Sequence, residues 1–234
     1  MNIGISVICS TNKINMFENI LKNYISQNYE LKELIIIINY DISNLNDLIK
    51  LIPVNENIQL YILGSKKSLG ECLNYAVEKS KYPVIAKYDD DDYYSPCYLK
   101  DTVKSLSLEN VGIVGKSCTY LYFTEENILA IQNISNENKY VRRVAGGTLM
   151  FKRVLFENIK FRNINLGEDI KFCEDCLGIG YKIFSTNRYN YVYIRNKKNK
   201  HTWKIDNYYL IGECIQLKKT QNYKEFISNC DKNT

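Results

Sequence analysis

The sequence predicts an α/β fold with a mostly parallel central sheet flanked by helices. Two observations support this prediction. Apolar runs of strand length alternate with stretches of helical period through residues 1–92, and such alternation is typical of parallel strands joined by helices. The fourth apolar run also ends in four consecutive aspartates, residues 89–92, which we call the acid quartet. α/β proteins bind ligands at this edge of the sheet, beyond the carboxyl ends of the strands.

The first half of the chain contains four strand patterns with helical patterns between them. Residues 3–9 predict a buried strand, and residues 34–38 are a continuous apolar run, as expected for a strand covered on both faces. Residues 58–63 and 84–86 predict two further strands. Apolar residues recur at helical spacing from Phe17 and again from Leu69, and a short helix is expected at 44–51.

After residue 92 the pattern changes to shorter strands and fewer helices. We expect helices at 98–106 and 166–177, a last helix at 205–217, and strands at 111–115, 118–123, 128–131, 182–185 and 191–194. Residues 141–151 predict a strand that contains Gly146 and Gly147. Adjacent glycines in a strand indicate either a bulge or the close approach of another backbone or a ligand.

Composition and charge exclude several classes of protein. The net charge of +5, with one short basic stretch at 196–201, is too small for a nucleic-acid footprint. No apolar run is long enough to span a membrane, and the chain enters a strand pattern directly, without a charged leader. We therefore expect a cytoplasmic protein. The sequence does not predict its oligomeric state.

The eight cysteines predict reduced core residues rather than a disulfide framework. Most of them occupy apolar positions of strand or helix patterns, and their spacing is irregular. Only Cys173 and Cys176 have metal-like spacing, and no second pair or nearby histidine completes a tetrahedral zinc site.

The acid quartet indicates a cation site. Adjacent carboxylates raise one another's pKa, so four of them cannot all ionise in a partly buried place unless a cation offsets the repulsion. Oxygen ligands favour Mg²⁺, Mn²⁺ or Ca²⁺ over zinc. The alternative is a solvated acidic loop.

Other nucleotide-binding and hydrolase patterns are absent. The segment from Gly115 to Ser117 resembles the end of a phosphate-binding loop, but Asn110 stands where the first glycine is required. No glycine-rich dinucleotide fingerprint follows the first strand, and no Ser, His and Asp set forms a nucleophile elbow.

Several short segments follow one another in an order that is informative. They are SVICST at 6–11, NYD at 39–41, LG at 69–70 with Asn74, DDDDYYSPCYL at 89–99, GGTLMFKR at 146–153, GED at 167–169, and finally His201 and Trp203. This order resembles that of the inverting glycosyltransferases of the GT-A fold, family 2 type, and it extends over residues 3–203.

The resemblance implies a binding site for a nucleotide-sugar donor, expected to be UDP-linked. In that family, positions matching Thr11, Asn39 and Asp41 hold the base and ribose, and the position of Asp89 faces ribose or sugar. The remaining donor-site positions that it implies are Asn74, Asp91, Gly147 and Glu168. Two departures leave the nucleotide open: Cys9 and Ser10 stand where a proline is common, and Asn39 replaces an acidic residue.

The resemblance also implies a metal site and a catalytic base. Asp91 and Asp92 match the Asp-x-Asp element that binds Mn²⁺ or Mg²⁺, and His201 matches a third ligand from a C-terminal segment. Asp169 matches the base that removes the acceptor proton, with Glu168 in support. A metal would neutralise the leaving diphosphate while the base acts on the opposite side of the sugar.

Simpler interpretations exist for each residue. Asp169 and Glu168 would favour the dipole of the helix that they begin, Thr11 could cap the helix after it, and His201 could be solvated. The glycine pair at 146–147 could only relieve packing.

Two other functions remain open. A nucleotidylyltransferase would show a glycine-rich basic loop after the first strand, which residues 10–13 lack. A catalytically silent module that binds divalent ions or sugar would keep the acid quartet without needing Asp169.

These observations lead us to expect one domain, residues 1–234, that acts as a metal-dependent inverting glycosyltransferase. We expect residues 1–92 to bind the nucleotide-sugar, and residues 93–234, with the C-terminal helix, to bind the acceptor. The acceptor would be a hydroxyl of a carbohydrate, a lipid-linked compound or a peptide.

Overall fold

The structure, a computed structural model, describes residues 3–42, 45–196, 203–228 and 230. These residues form β1 Ile5–Thr11, α1 Phe17–Ile25, β2 Lys32–Ile38, α2 Asn46–Ile49, β3 Ile58–Ile62, α3 Leu69–Lys79, β4 Val84–Tyr88, β5 Tyr93–Tyr94, α4 Tyr98–Val103, β6 Val111–Gly115, β7 Thr119–Phe123, β8 Ile128–Gln132, β9 Lys139–Val141, β10 Met150–Lys152, α5 Glu168–Gly178, β11 Lys182–Ser185, β12 Tyr191–Arg195, α6 Asn207–Gly212, β13 Ile215–Lys219 and α7 Lys224–Ile227. None of the described helices has both the length and the apolar character needed to cross a bilayer.

Eight strands form a large sheet in the order β3-β2-β1-β4-β10-β6-β11-β9. Strands β3, β2, β1 and β4 run parallel, as their connections through helices require. Strand β10 is antiparallel to both β4 and β6, and β9 is antiparallel to β11. The α/β prediction is therefore confirmed, with a sheet that is largely but not wholly parallel.

The buried strands divide their side chains between two hydrophobic cores. In β2, Leu34, Ile36 and Ile38 pack on the side of α1, while Ile35 and Ile37 pack on the side of α3 and α5. Alternate side chains of a strand point to opposite faces of the sheet, so a strand covered on both faces is apolar at every position. This arrangement explains the continuous apolar runs of the sequence.

Five further strands form a small sheet in the order β13-β8-β7-β12-β5. This second sheet is not evident in the sequence. Strand β12 is parallel to β7, and β5 is antiparallel to β12. Because β4 ends at Tyr88 and β5 begins at Tyr93, the acid quartet connects the large sheet to the small one.

Two of the predicted elements are wrong. Residues 141–151 do not form one strand: the glycines lie in a 3₁₀ turn, Gly146–Thr148, which we call the glycine turn, between β9 and β10. The helix predicted at 205–217 ends at Gly212, and β13 follows because it pairs with β8. Pairing with a distant strand overrides a local helical pattern.

The expectation that all cysteines are reduced is also wrong. Cys97, which follows β5, forms a disulfide with Cys230 at a Cα–Cα distance of 5.6 Å. The partners are 133 residues apart, so no local spacing indicates the bond. The other cysteines are free thiols, buried except for the partly buried Cys214.

Candidate active site

The topology brings four chain segments to one edge of the large sheet. Strands β2, β1 and β4 are parallel, so their carboxyl ends, with Asn39, Thr11 and Asp89, meet there. Strand β10 runs in the opposite direction, and its amino end, preceded by the glycine turn, therefore lies at the same edge.

Asp90 and Asp91 are held by residues at the end of β1. The Thr11 hydroxyl donates to Asp90 Oδ2 at 2.6 Å. Lys13 Nζ lies 3.3 Å from Asp90 Oδ1 and 2.8 Å from Asp91 Oδ2. Burial raises the pKa of Asp90 to about 6, Asp91 adds to the rise, and Lys13 and Thr11 oppose it. Thr11 therefore contacts the acid quartet through Asp90.

Asp92 is the most buried member of the quartet, at 1% exposure. Its Oδ2 accepts a hydrogen bond from Tyr191 Oη at 2.5 Å, and its Oδ1 accepts one from the Ile194 N–H at 3.0 Å. Burial raises the pKa of Asp92 well above its usual range, and Asp91 and Asp89 add to the rise. Both carboxylate oxygens are therefore occupied by β12.

Helix α1 fixes the backbone of the quartet. Asn19 Nδ2 donates to the carbonyl oxygens of Asp90 and Asp92, at 2.8 and 3.0 Å. Asn23 Nδ2 also donates to the Asp92 carbonyl, at 2.9 Å, and its Oδ1 accepts from the Tyr94 N–H at 3.1 Å. These side-chain amides satisfy backbone groups that the sheets leave unpaired.

Asp89 is the quartet member whose carboxylate opens toward solvent, with 38% of its side chain exposed. It pairs with the ammonium of Lys87, which is buried. Burial would lower the pKa of Lys87, but the carboxylates of Asp89, Glu168 and Asp169 raise it above its usual range. Lys87 therefore lies between the quartet and the start of α5.

The glycine turn brings the carboxylate of Asp169 next to the quartet. A Cβ placed on Gly146 would overlap the Asp169 carboxylate. A Cβ on Gly147 would lie 2.8 Å from Asp89 Oδ2 and 3.0 Å from Asp92 Oδ2. Successive glycines thus allow three carboxylates to approach one short piece of backbone.

Glu168 and Tyr94 lie beside the glycine turn and the quartet. Glu168 is buried, and burial raises its pKa, while Lys87 opposes the rise. Tyr94 Oη accepts from the Asp89 N–H at 2.8 Å and donates to the Gly147 carbonyl at 2.6 Å. One hydroxyl therefore connects the quartet to the glycine turn.

The remaining predicted donor-site residues are placed differently. Asn39 Oδ1 is buried and accepts no hydrogen bond from the described residues. Asp41 accepts from Ser65 Oγ at 2.7 Å in the loop before α3. The amide of Asn74 is paired with the backbone of Phe161, at 2.9 and 3.0 Å, rather than with the quartet. His201 lies outside the described residues.

A hard divalent cation at this edge would need the phosphates of a bound ligand to complete its coordination. No group of three or more His, Cys, Asp or Glu side chains in the described part of the chain is arranged to hold a metal. Mg²⁺ is commonly bound by one or two carboxylates together with substrate phosphates. Asp91 is suited to this role, whereas both oxygens of Asp92 accept hydrogen bonds from the protein.

Sequence reasoning missed several residues that hold the site together. The sequence does indicate a role for Lys87, because a lysine in a fully buried strand two residues before the quartet requires a charged partner. Lys13 also lies close in sequence to Thr11. No local pattern indicates a role for Tyr191, since its contact with Asp92 spans 99 residues.

The family model "Glycosyl transferase family 2" matches residues 6–165, which is more than half of the chain. No curated protein matches the sequence.

Solved structures share the fold at low identity. A mannosyltransferase, PcManGT from Pyrobaculum calidifontis in complex with GDP-Man and Mn²⁺, superposes with a TM-score of 0.67 at 16% identity, over 87% of this chain and 60% of that one. S. aureus TarS 1–349 in complex with UDP-GlcNAc gives 0.67 at 15% identity, over 87% and 61%. This chain thus spans about 60% of the length of these structures.

The fold, the order of the motifs and the family match lead to one assignment. The solved neighbours have the mixed α/β sheet described above, which establishes the GT-A fold. The resemblance to family 2 found in the sequence is therefore confirmed: the chain belongs to glycosyl transferase family 2.

Proposed function

We propose that the protein transfers a sugar from a nucleotide-diphospho-sugar to an acceptor hydroxyl, with inversion at the anomeric carbon and with Mg²⁺ or Mn²⁺. The observation that carries this proposal is the glycine turn. It allows the carboxylates of Asp89, on the donor side, and Asp169, the candidate base, to contact adjacent backbone positions. A base and a donor pocket must be this close for a single displacement.

The chemistry assigned to these residues is a proton transfer coupled to the displacement. The acceptor oxygen attacks the anomeric carbon, Asp169 takes the hydroxyl proton, and the bond from the anomeric carbon to the diphosphate oxygen breaks with its electron pair. The diphosphate leaves on the opposite face, so the configuration inverts. A metal held by Asp91 would stabilise the charge of that leaving group.

The nucleotide is proposed to be UDP. Asn39 supports a base with a ring N–H, because its buried Oδ1 lacks a hydrogen-bond donor among the described residues. Uracil offers such an N–H beside a carbonyl oxygen that the amide NH₂ of Asn39 would complement. Guanine presents a similar edge, so GDP is the nucleotide to test against UDP.

A carbohydrate acceptor is favoured by two aromatic rings near the quartet. Burial raises the pKa of Tyr193, and the negative charges of Asp92 and Asp91 add to the rise. Trp203 stacks on Tyr193 with ring centroids 6.4 Å apart. Trp203 is 41% exposed. An exposed aromatic face beside the donor site is suited to packing against the apolar face of a sugar.

A thermal-shift panel tests the proposal directly. UDP, GDP, CDP and TDP would each be added with and without Mn²⁺. At 100 times its Kd a ligand adds about 2.7 kcal/mol of stability, which corresponds to about 5–10 °C for a chain of this length. We expect UDP with Mn²⁺ to give the largest shift. No shift with any nucleotide would refute the donor assignment.

A further inference from the structure

Lys13 is a cation that the fold has placed inside the acid quartet. It follows β1 and precedes a 3₁₀ turn, Ile14–Met16. Its side chain is 19% exposed, and its ammonium lies 2.8 Å from Asp91 Oδ2 and 3.3 Å from Asp90 Oδ1. The candidate metal ligand therefore already has a positive partner, supplied by the chain itself.

We propose that Lys13 competes with the divalent cation for the Asp91 carboxylate, so that the metal enters the site together with the diphosphate of the donor. This inference rests on the proposed function, because it takes Asp91 as the metal ligand. It adds a role for a residue that the motifs of the sequence did not single out.

Electrostatic repulsion makes the two cations exclude each other. Mg²⁺ bound to a carboxylate lies about 2.0–2.1 Å from the oxygen, and Lys13 Nζ lies 2.8 Å from Asp91 Oδ2. A double and a single positive charge would then be a few ångströms apart in a place where water screens poorly. The ammonium must leave before the metal is bound well.

The diphosphate offers Lys13 another partner. A lysine ammonium on its long stem is a mobile point charge that binds phosphate readily. Lys87 is not suited to this exchange, because its side chain is 4% exposed and pairs with Asp89. A donor that attracts the Lys13 ammonium frees Asp91 for the metal, and by linkage the metal strengthens binding of the donor by the same factor.

The test measures binding of Mn²⁺ by the electron paramagnetic resonance signal of the free aqueous ion. The protein variants are wild type, Lys13→Met, which keeps the apolar stem, and Lys13→Arg, which keeps the charge. Lys22→Met is the matched control, because Lys22 is 77% exposed and pairs only with Glu18 on α1 among the contacts described. Each is titrated alone and with saturating UDP or GDP, and its melting temperature is recorded.

We expect wild type and Lys22→Met to bind Mn²⁺ about 10-fold or more tightly with a nucleoside diphosphate than without it. In Lys13→Met, binding of Mn²⁺ alone should tighten about 10-fold, and the nucleotide should add less than about 3-fold. Lys13→Arg should behave as wild type. If Lys13→Met does not fold, Lys13→Gln replaces it with the same expectation.

The outcomes separate this inference from the proposed function. If wild type binds Mn²⁺ more tightly with nucleotide, and Lys13→Met (or Lys13→Gln in its place) gains from the nucleotide to the same extent, the competition is refuted while the metal-dependent function stands. If wild type does not bind Mn²⁺ in the presence of either UDP or GDP, Asp91 is not a metal ligand. The proposed competition and the metal-dependent function then both fail.

Discussion

Replacing Gly147 with alanine is expected to damage catalysis more than folding. The new Cβ would lie 2.8 Å from Asp89 Oδ2, and 3.0 Å from both Asp92 Oδ2 and Tyr191 Oη. Attractive contacts of carbon atoms begin at about 3.5 Å, so these neighbours must shift by roughly half an ångström. Asp92 and Tyr191 are buried and hydrogen-bonded to each other. Asp89, which is partly exposed, therefore moves.

The structural cost follows from crowding and backbone entropy. An extra methyl group in a packed site costs roughly 1–3 kcal/mol. The backbone φ of Gly147 is not positive, so alanine adopts it and recovers about 0.4–1 kcal/mol through the unfolded chain. The net loss is up to about 2.5 kcal/mol, or a fall in melting temperature of up to about 10 °C. Displacing a donor-site carboxylate should lower kcat/KM by about 10–100-fold.

The assay is release of nucleoside diphosphate from the donor sugar, together with a melting curve. Gly178→Ala is the matched control, because Gly178 ends α5 and a Cβ there meets no atom within 4 Å. The control should keep the wild-type rate, and its melting temperature should stay the same or rise by up to about 4 °C, because alanine gains about 0.4–1 kcal/mol through the unfolded chain and meets no crowding there. A Gly147→Ala protein with the wild-type kcat/KM would refute the argument that Asp89 must stay against the glycine turn.

Three further predictions concern the base, the quartet and the disulfide. Asp169→Asn should lower turnover by about 10²–10⁴-fold while the melting shift with UDP survives; unchanged turnover would exclude Asp169 as the base. The folded-state pKa of Asp90, about 6, is above its ordinary value of 3.8, so its stabilisation is present below about pH 4 and is lost as the pH rises through 6. In urea unfolding, the free energy of unfolding of Asp90→Asn should therefore rise relative to that of wild type by up to about 3 kcal/mol between pH 4 and pH 8. A difference between the two proteins that does not change with pH would contradict this. Reducing Cys97–Cys230, which spans 133 residues, should lower the free energy of unfolding by up to about 5 kcal/mol. Cys97→Ser should not respond to reductant, and a wild-type protein equally stable with and without reductant would refute the contribution of the bond.

The first half of the fold could be predicted because its signals are local. Strand β2 is apolar and buried from Leu34 to Ile38, and α3 begins after a capping box in which Ser68 and Glu71 bind each other's backbone. Each of these patterns reports burial or capping within a few residues. The predicted strand 182–185 agrees with β11 for the same reason.

The small sheet could not be predicted, because its pairings are distant. Strand β12 pairs with β7 across about 70 residues, and β13 pairs with β8 across more than 80. All residues of β13 are exposed, so the strand has no continuous apolar run. The local sequence of 205–217 favours a helix, but residues 215–219 form a strand because they pair with β8.

The candidate site was predicted in its location but not in its contacts. An acid run after a buried strand could be placed at the ligand edge of the sheet from sequence. The contacts of Thr11 with Asp90 and of Tyr191 with Asp92 depend on the folded chain. The roles of Asp91 and Asp169 stay predictions that the experiments above address, and the role of His201 stays a prediction of the sequence.

The bond from Tyr191 to Asp92 has a consequence for how the molecule unfolds. Asp92 follows β4 of the large sheet, and both of its oxygens accept hydrogen bonds from β12 of the small sheet. If the small sheet opened alone, a buried carboxylate would lose both partners, at a cost far above that of an ordinary broken contact. The two sheets should therefore lose their amide protection in one cooperative step, and the donor pocket should vanish in that same step.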